Sequence, residues 1–135
     1  MSEAAIHAGP EQARTRLRLK TAGLWILQIG AAAMFLKAGS AKLTGDPLMV
    51  GLFNAIGFGQ WFRFLTGALE VAGAIALAIP AAAVYGAVVL TFVMAGAVLT
   101  HVVLLGGNAA PAAILLAAML IVVYGRKEQL WKKSH

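Results

Sequence analysis

The sequence predicts an all-α integral membrane protein, a four-helix bundle with a short interfacial helix between its first and second spans. Three observations lead there. The 135 residues are 61% hydrophobic and only 12% charged, with a mean hydropathy of +0.84, against an apolar share of roughly 45–50% in soluble domains. The apolar runs suffice for four crossings of about 20 residues each and leave room only for short connections. Basic residues gather at two ends: Arg14, Arg16, Arg18 and Lys20 precede the first run, and Arg126, Lys127, Lys132 and Lys133 follow the last. Residues 1–20 thus read as a flexible basic tail, 21–125 as the four-span domain and 126–135 as a basic cytoplasmic tail.

Met1 to about Gln12 is small and polar without apolar periodicity, and is expected to be disordered. Arg14 to Lys20 anchors the chain at the headgroups, and the first span follows over about 21–41, with Trp25 at interface depth. A basic segment before an apolar core also has the form of a signal peptide, with Gly39-Ser40-Ala41 as a weak cleavage site. Lys37 interrupts that core, so the segment is read as a retained span. Gly45-Asp46-Pro47 is a helix start, because Asp46 can cap and Pro47 suits the first helical position. Leu48, Leu52, Phe53 and Ile56 then recur at helical spacing over a segment too short to span, which is expected to lie in the interface and stop at Gly57 and Gly59. From Trp61 to Leu105 the chain would measure roughly 67 Å as one helix, more than twice the hydrocarbon thickness. It must turn, and Pro80 is the strong breaker available. The second and third spans are therefore placed at about 61–79 and 82–105. Gly106-Gly107-Asn108 makes the next turn, and the fourth span covers about 109–124, with a basic amphipathic continuation through Trp131.

Four crossings put both termini on one side, and the positive flanks make that side the cytoplasm of a cell inner membrane. The net charge of +6 sits in short clusters beside apolar spans, with no nucleic-acid motif, so nucleic acid is not an expected partner. Cysteine is absent, which removes disulfides, thiolate catalysis and cysteine-ligated iron–sulfur clusters from this polypeptide. Redox chemistry would need a bound cofactor or a partner.

The second span carries Glu70 near its middle, where a charge costs roughly 2.5–3.5 kcal/mol on insertion scales. Such a residue needs a cation, a proton or a wet pocket. With the topology above, Lys37, Arg63 and His101 lie near the outer ends of their spans. Side chains tilt toward the N-terminus of their own helix, so Lys37 and His101 lean inward and Glu70 leans outward, and the three can meet. Arg63 precedes Glu70 by two turns on the same face, with a tilt toward the headgroups. Glu70 and His101 are the candidates for proton transfer. A structural ion pair fixing helix register is the competing reading for Glu70, and a simple hydrogen bond for His101. No second histidine lies at metal-ligand spacing, so no metal site is expected. Gln28, Asn54, Thr91 and Asn108 read as helix contacts or caps.

Gly39-Ser40-Ala41-Lys42-Leu43 has the form G-x-x-K-L at the end of the first span, and Glu70-Val71-Ala72-Gly73 the form E-x-x-G in the second. Their order and spacing on a four-span chain resemble the DoxX family of small four-helix membrane proteins, including its DoxX-like branch, over about 21–124. The resemblance assigns Gly39, Lys42 and Leu43 to the first motif and Glu70 with Gly73 to the second. It makes Lys42 a second candidate partner for Glu70 beside Lys37. It implies a membrane subunit in a redox or quinone-related system, with a quinone as one candidate ligand. Joined to the span geometry above, that makes Glu70 the proton acceptor and places Lys37, Lys42 and Arg63 on the ligand-holding side. Expected partners are membrane lipids, a quinone-like small molecule, a soluble oxidoreductase and a second copy of the chain. The alternative is a non-enzymatic scaffold that holds a soluble enzyme through its basic ends. A transporter is less favoured, since so few helices leave little room for alternating access.

Overall fold

The computed structural model describes residues 9–128 and 130, and these are all-helical, with no strand among them. There are five helices: α1 (Pro10–Thr44), α2 (Pro47–Ile56), α3 (Gln60–Leu77), α4 (Ala83–Thr100), which runs on as a π-helical turn (His101–Leu105), and α5 (Ala110–Arg126). The tail expected over residues 1–8 and the continuation through Trp131, with Lys132 and Lys133, lie outside the described residues.

Each boundary has a local cause. Helix α1 starts at Pro10, a favourable first helical residue, eleven positions before the apolar core begins near Thr21. Residues 10–20 are therefore helical and not an irregular tail: hydropathy marks where a chain turns polar, not where its backbone ladder ends. Gly45, at φ 77°, closes α1 in the left-handed conformation. The Asp46 carboxylate then accepts from the Leu48 N–H at 2.9 Å and Pro47 opens α2, as the sequence predicts; Gly57 ends it at φ 85°. Pro80 bars a continuous helix, and the reversal occupies residues 78–82. At the far end of α4 the last turn widens, with the Gly106 N–H donating to the His101 carbonyl at 2.8 Å, so the expected span to Leu105 is kept but not as pure α-helix.

Helix α1 packs on α3 and α5, α3 on α4, and α4 on α5, while α2 lies across α3 and touches both the end of α1 and the π-helical turn. The core is Phe35 of α1, Leu77 of α3, Leu90 of α4, and Met119 and Val122 of α5, all fully buried, filled out by alanines 31, 32, 74 and 87. Large apolar side chains also point outward, among them Ile26, Ile75, Phe92 and Ile114. Two helical stretches are long and apolar enough to cross a membrane: α1 and the continuous Ala83–Leu105.

Glycine sets a close approach between α3 and α4. A Cβ on Gly86 would stand 2.7 Å from the Gly73 carbonyl oxygen and 2.8 Å from the Leu77 nitrogen, and one on Gly73 would stand 2.7 Å from Leu90 Cγ. Two backbones thus meet with nothing between them. Gly86→Val should therefore lower stability by about 1–3 kcal/mol through overpacking, whereas Gly96→Ala, where a Cβ meets nothing within 4 Å, should be neutral or raise stability by up to about 1 kcal/mol. Thermal unfolding of the two variants in detergent checks the contrast.

Candidate functional site

The site is built where α1 crosses α3. The face of α1 turned inward carries Leu24, Gln28, Ala31, Phe35 and Gly39, a run of three- and four-residue steps that next reaches Lys42. On α3 the inward face carries Arg63, Gly67, Glu70, Gly73, Ala74 and Leu77. Gly39 meets Gly67 at the crossing: a Cβ on Gly39 would lie 2.9 Å from the Gly67 carbonyl oxygen, and one on Gly67 would lie 2.9 Å from Lys42 Cβ. This proximity lets Lys42 Nζ approach Glu70 Oε1 to 2.8 Å, with side-chain exposures of 13% and 2%.

Lys42, and not Lys37, is therefore the partner of Glu70. Lys37 lies two residues from both Phe35 and Gly39, about 200° round the helix, and is exposed. The signal is present in the sequence as the period of the buried stripe, which depth along the span alone does not reveal.

Arg63 is buried but does not line the cavity described below. Its guanidinium donates through Nη1 to the Lys42 carbonyl and through Nε to Gln60 Oε1 at 2.7 Å, and stacks over the Phe64 ring at 4.3 Å. A cation thus closes the carbonyl end of α1 and fixes the backbone from which the Lys42 side chain departs. Gln60 in turn donates to the Val50 carbonyl at 3.2 Å and to Asn54 at 2.8 Å, which ties α2 to the same corner. The Gln60–Arg63 spacing of three on one helix face is the sequence signal for this positioning role.

A cavity of about 360 Å³ lies beside the ion pair, lined by Lys42 of α1, by Leu52, Phe53 and Ile56 of α2, by Thr66, Leu69 and Glu70 of α3, by Phe92, Met94 and Gly96 of α4, and by His101 and Leu105 of the π-helical turn. His101 thus shares a chamber with Lys42 and Glu70. Its Nδ1 is buried without a hydrogen-bond partner among the described residues and faces the loop, since a Cβ on Gly107 would lie 3.6 Å from it. The two hydroxyls on the wall are already committed, Thr66 to the Phe62 carbonyl and Thr100 to the Gly96 carbonyl, each at 2.8 Å. The free polarity of the chamber is concentrated in the ion pair and the His101 ring.

A second polar cluster holds the opposite end of the molecule. Gln28, fully buried, donates to the Leu77 carbonyl at the end of α3 at 3.0 Å and accepts from Arg126 Nε of α5 at 2.8 Å. The Arg126 guanidinium lies 5.0 Å from the Trp25 ring centre. Gln28 is the helix contact that the sequence predicts; Asn108 caps α5 through the Ala110 N–H at 3.0 Å.

These features define a small all-helical protein with two helices of membrane-crossing length and a buried lysine–glutamate pair beside an apolar chamber. Residues 26–123 match the DoxX-like family, and the chain belongs to that family, which is membrane-associated. No curated protein and no solved structure matches it.

Removing Lys42 leaves a buried carboxylate without its cation, so Lys42→Met should cost about 3–5 kcal/mol, while Lys37→Met should stay within about 0.5 kcal/mol. Lys42→Met combined with Glu70→Leu should recover most of the loss. Melting temperatures of the three variants in one detergent check the order.

Proposed function

We propose that the chain is a four-helix bundle that crosses the cell inner membrane several times with both termini cytoplasmic, and that its chamber receives the polar head of a quinone-like small molecule in a redox system. The observation that carries the reading is the placing of Lys42 and Glu70 in the wall of a mostly apolar cavity of about 360 Å³. Sites for small molecules are apolar hollows of roughly 300–1,000 Å³ with few, well-placed polar groups. An ionisable pair at membrane depth is expensive and marks a functional site by default.

Each residue then has a role. Glu70 accepts a hydrogen bond, or a proton, from a hydroxyl of the ligand in its reduced, quinol form. Lys42 sets the charge of Glu70 and donates with the hydrogens that Glu70 does not use. Arg63 holds the carbonyl of Lys42 and so aims it, and Lys37, on the exposed side of α1, has no part. His101 offers a second polar contact across the chamber. A quinone supplies exchange of electrons together with protons when bound, and the absence of cysteine assigns any thiol in such a system to a partner, for which a soluble oxidoreductase held near the basic ends is the natural form. Apart from the chamber, the support is the family, whose resemblance implies redox systems of this kind.

One observation favours a second reading. Lys42 Nζ stands 2.8 Å from Glu70 Oε1 across the α1–α3 crossing, and an ion pair of that kind fixes helix register with no ligand at all. The protein would then be a scaffold for a soluble enzyme. Mass spectrometry of small molecules that co-purify in mild detergent separates the two. A quinone-like compound should accompany the wild type and be lost from a folded Glu70→Gln variant; no specific compound with either protein would sink the quinone reading and leave the scaffold.

A further inference from the structure

Helices α3 and α4 touch at one level and part beyond it. Their contact is the glycine-lined approach of Gly73, Gly86, Leu77 and Leu90. Glu70, one turn from Gly73, already lines the chamber, as do Phe92 and Gly96 on α4. On one flank the gap is covered by α2, which rests on both α3 and the π-helical turn. On the other flank it is uncovered. Leu65, Leu69 and Phe92 all line the chamber, yet they are 45%, 38% and 75% exposed. Gly96, between the turns of α4, has open space where a Cβ would stand.

The side chains of α3 and α4 that stand exposed at this opening, Leu65, Leu69 and Phe92, are hydrocarbon. A route from water to a charged pair would be expected to carry polar groups, but the two wall hydroxyls, Thr66 and Thr100, are bound to their own helices. An apolar mouth whose side chains face outward is suited to a lipid phase, where exposing leucine and phenylalanine costs nothing. The volume of about 360 Å³ accommodates a ring-sized head.

We infer that the chamber is loaded sideways from the lipid, through the gap between α3 and α4, and that its ligand is a single-tailed amphiphile. The head reaches Lys42 and Glu70, and the tail lies over Leu65, Leu69 and Phe92. The inference rests on the membrane reading above and names the route and shape of the ligand, whether or not the head is a quinone. Gly96 lines the chamber and is exposed, so a bulky side chain there would narrow the mouth.

The chain has no cysteine, so a single introduced thiol can carry a nitroxide. Thr66→Cys labels the chamber and Ile75→Cys, 52% exposed on the outside of α3, serves as the reference. Each protein is labelled in detergent, returned to phosphatidylcholine vesicles, and its collision rates with oxygen, which enters lipid, and with nickel-EDDA, which stays in water, are compared. Oxygen should dominate at both sites, and adding Gly96→Phe should remove most of the oxygen collisions at position 66 while leaving position 75 unchanged. Nickel dominating at both sites would overturn the membrane reading itself. Nickel dominating at position 66 alone, or oxygen collisions there that ignore Gly96→Phe, would overturn lateral entry and leave the membrane reading standing. Met94 lines the chamber from α4 and is 6% exposed, so Met94→Cys repeats the measurement should Thr66→Cys misfold.

Discussion

The contact between Lys42 and Glu70 is the constraint on which the rest of this structure depends. A carboxylate that is 2% exposed must be neutralised where it lies, and its partner has to come from another helix. That requires α1 and α3 to come within backbone contact at the right level, which Gly39 and Gly67 alone permit, since a methyl group on either would meet backbone or side chain at about 2.9 Å. The glycines and the charges are one device. The glycines bring the helices together, and the charges hold them in one register, because any slip along the crossing would leave a buried ion unpaired.

Other contacts serve the same end. Arg63 spends its donors on the Lys42 carbonyl and on Gln60, so the α1 terminus, the α2 helix and the start of α3 are tied into one corner. At the far end Gln28 and Arg126 do the equivalent work for α1, α3 and α5. The molecule is thus pinned at both ends by side chains that satisfy helix-terminal carbonyls, and its middle is filled by Phe35, Leu90 and Met119. Between the pinned ends, α3 and α4 are free to splay once past Gly73. The chamber lies beyond the tight contact of Gly73 with Gly86 and Leu90, where Thr66, Glu70, Phe92 and Ala97 of the two helices line it.

The ion pair has a double character that follows from this placement. It closes the α1–α3 crossing and also forms part of a cavity wall, so structural and ligand-binding roles are not exclusive. A pair already fixed by glycine contacts and by Arg63 needs little rearrangement to meet a ligand, which is what a preorganised polar site requires. Lys42, half-buried and rich in donors, is the member able to serve both.

The sequence by itself determined the helices and most of their ends. Apolar run length, the Asp46-Pro47 start, the glycine stops and the break at Pro80 act over a few residues, and the observed bounds of α2, α3, α4 and α5 follow them closely. The start of α1 was less legible, because Arg14 to Lys20 are polar yet good helix formers, and hydropathy is silent about polar helix. Glu70 stood out by its cost in an apolar run, and the period of the α1 stripe already separates Lys42 from Lys37. The level at which α1 crosses α3 so that Lys42 meets Glu70, the use of Arg63 on a carbonyl of another helix, and the Gln28–Arg126 clasp were decided only in the tertiary structure. So was the gap beside Gly96. The reason is that each of these depends on the rotation and crossing of two helices. That geometry is set by where glycines let backbones touch, and no single segment contains it.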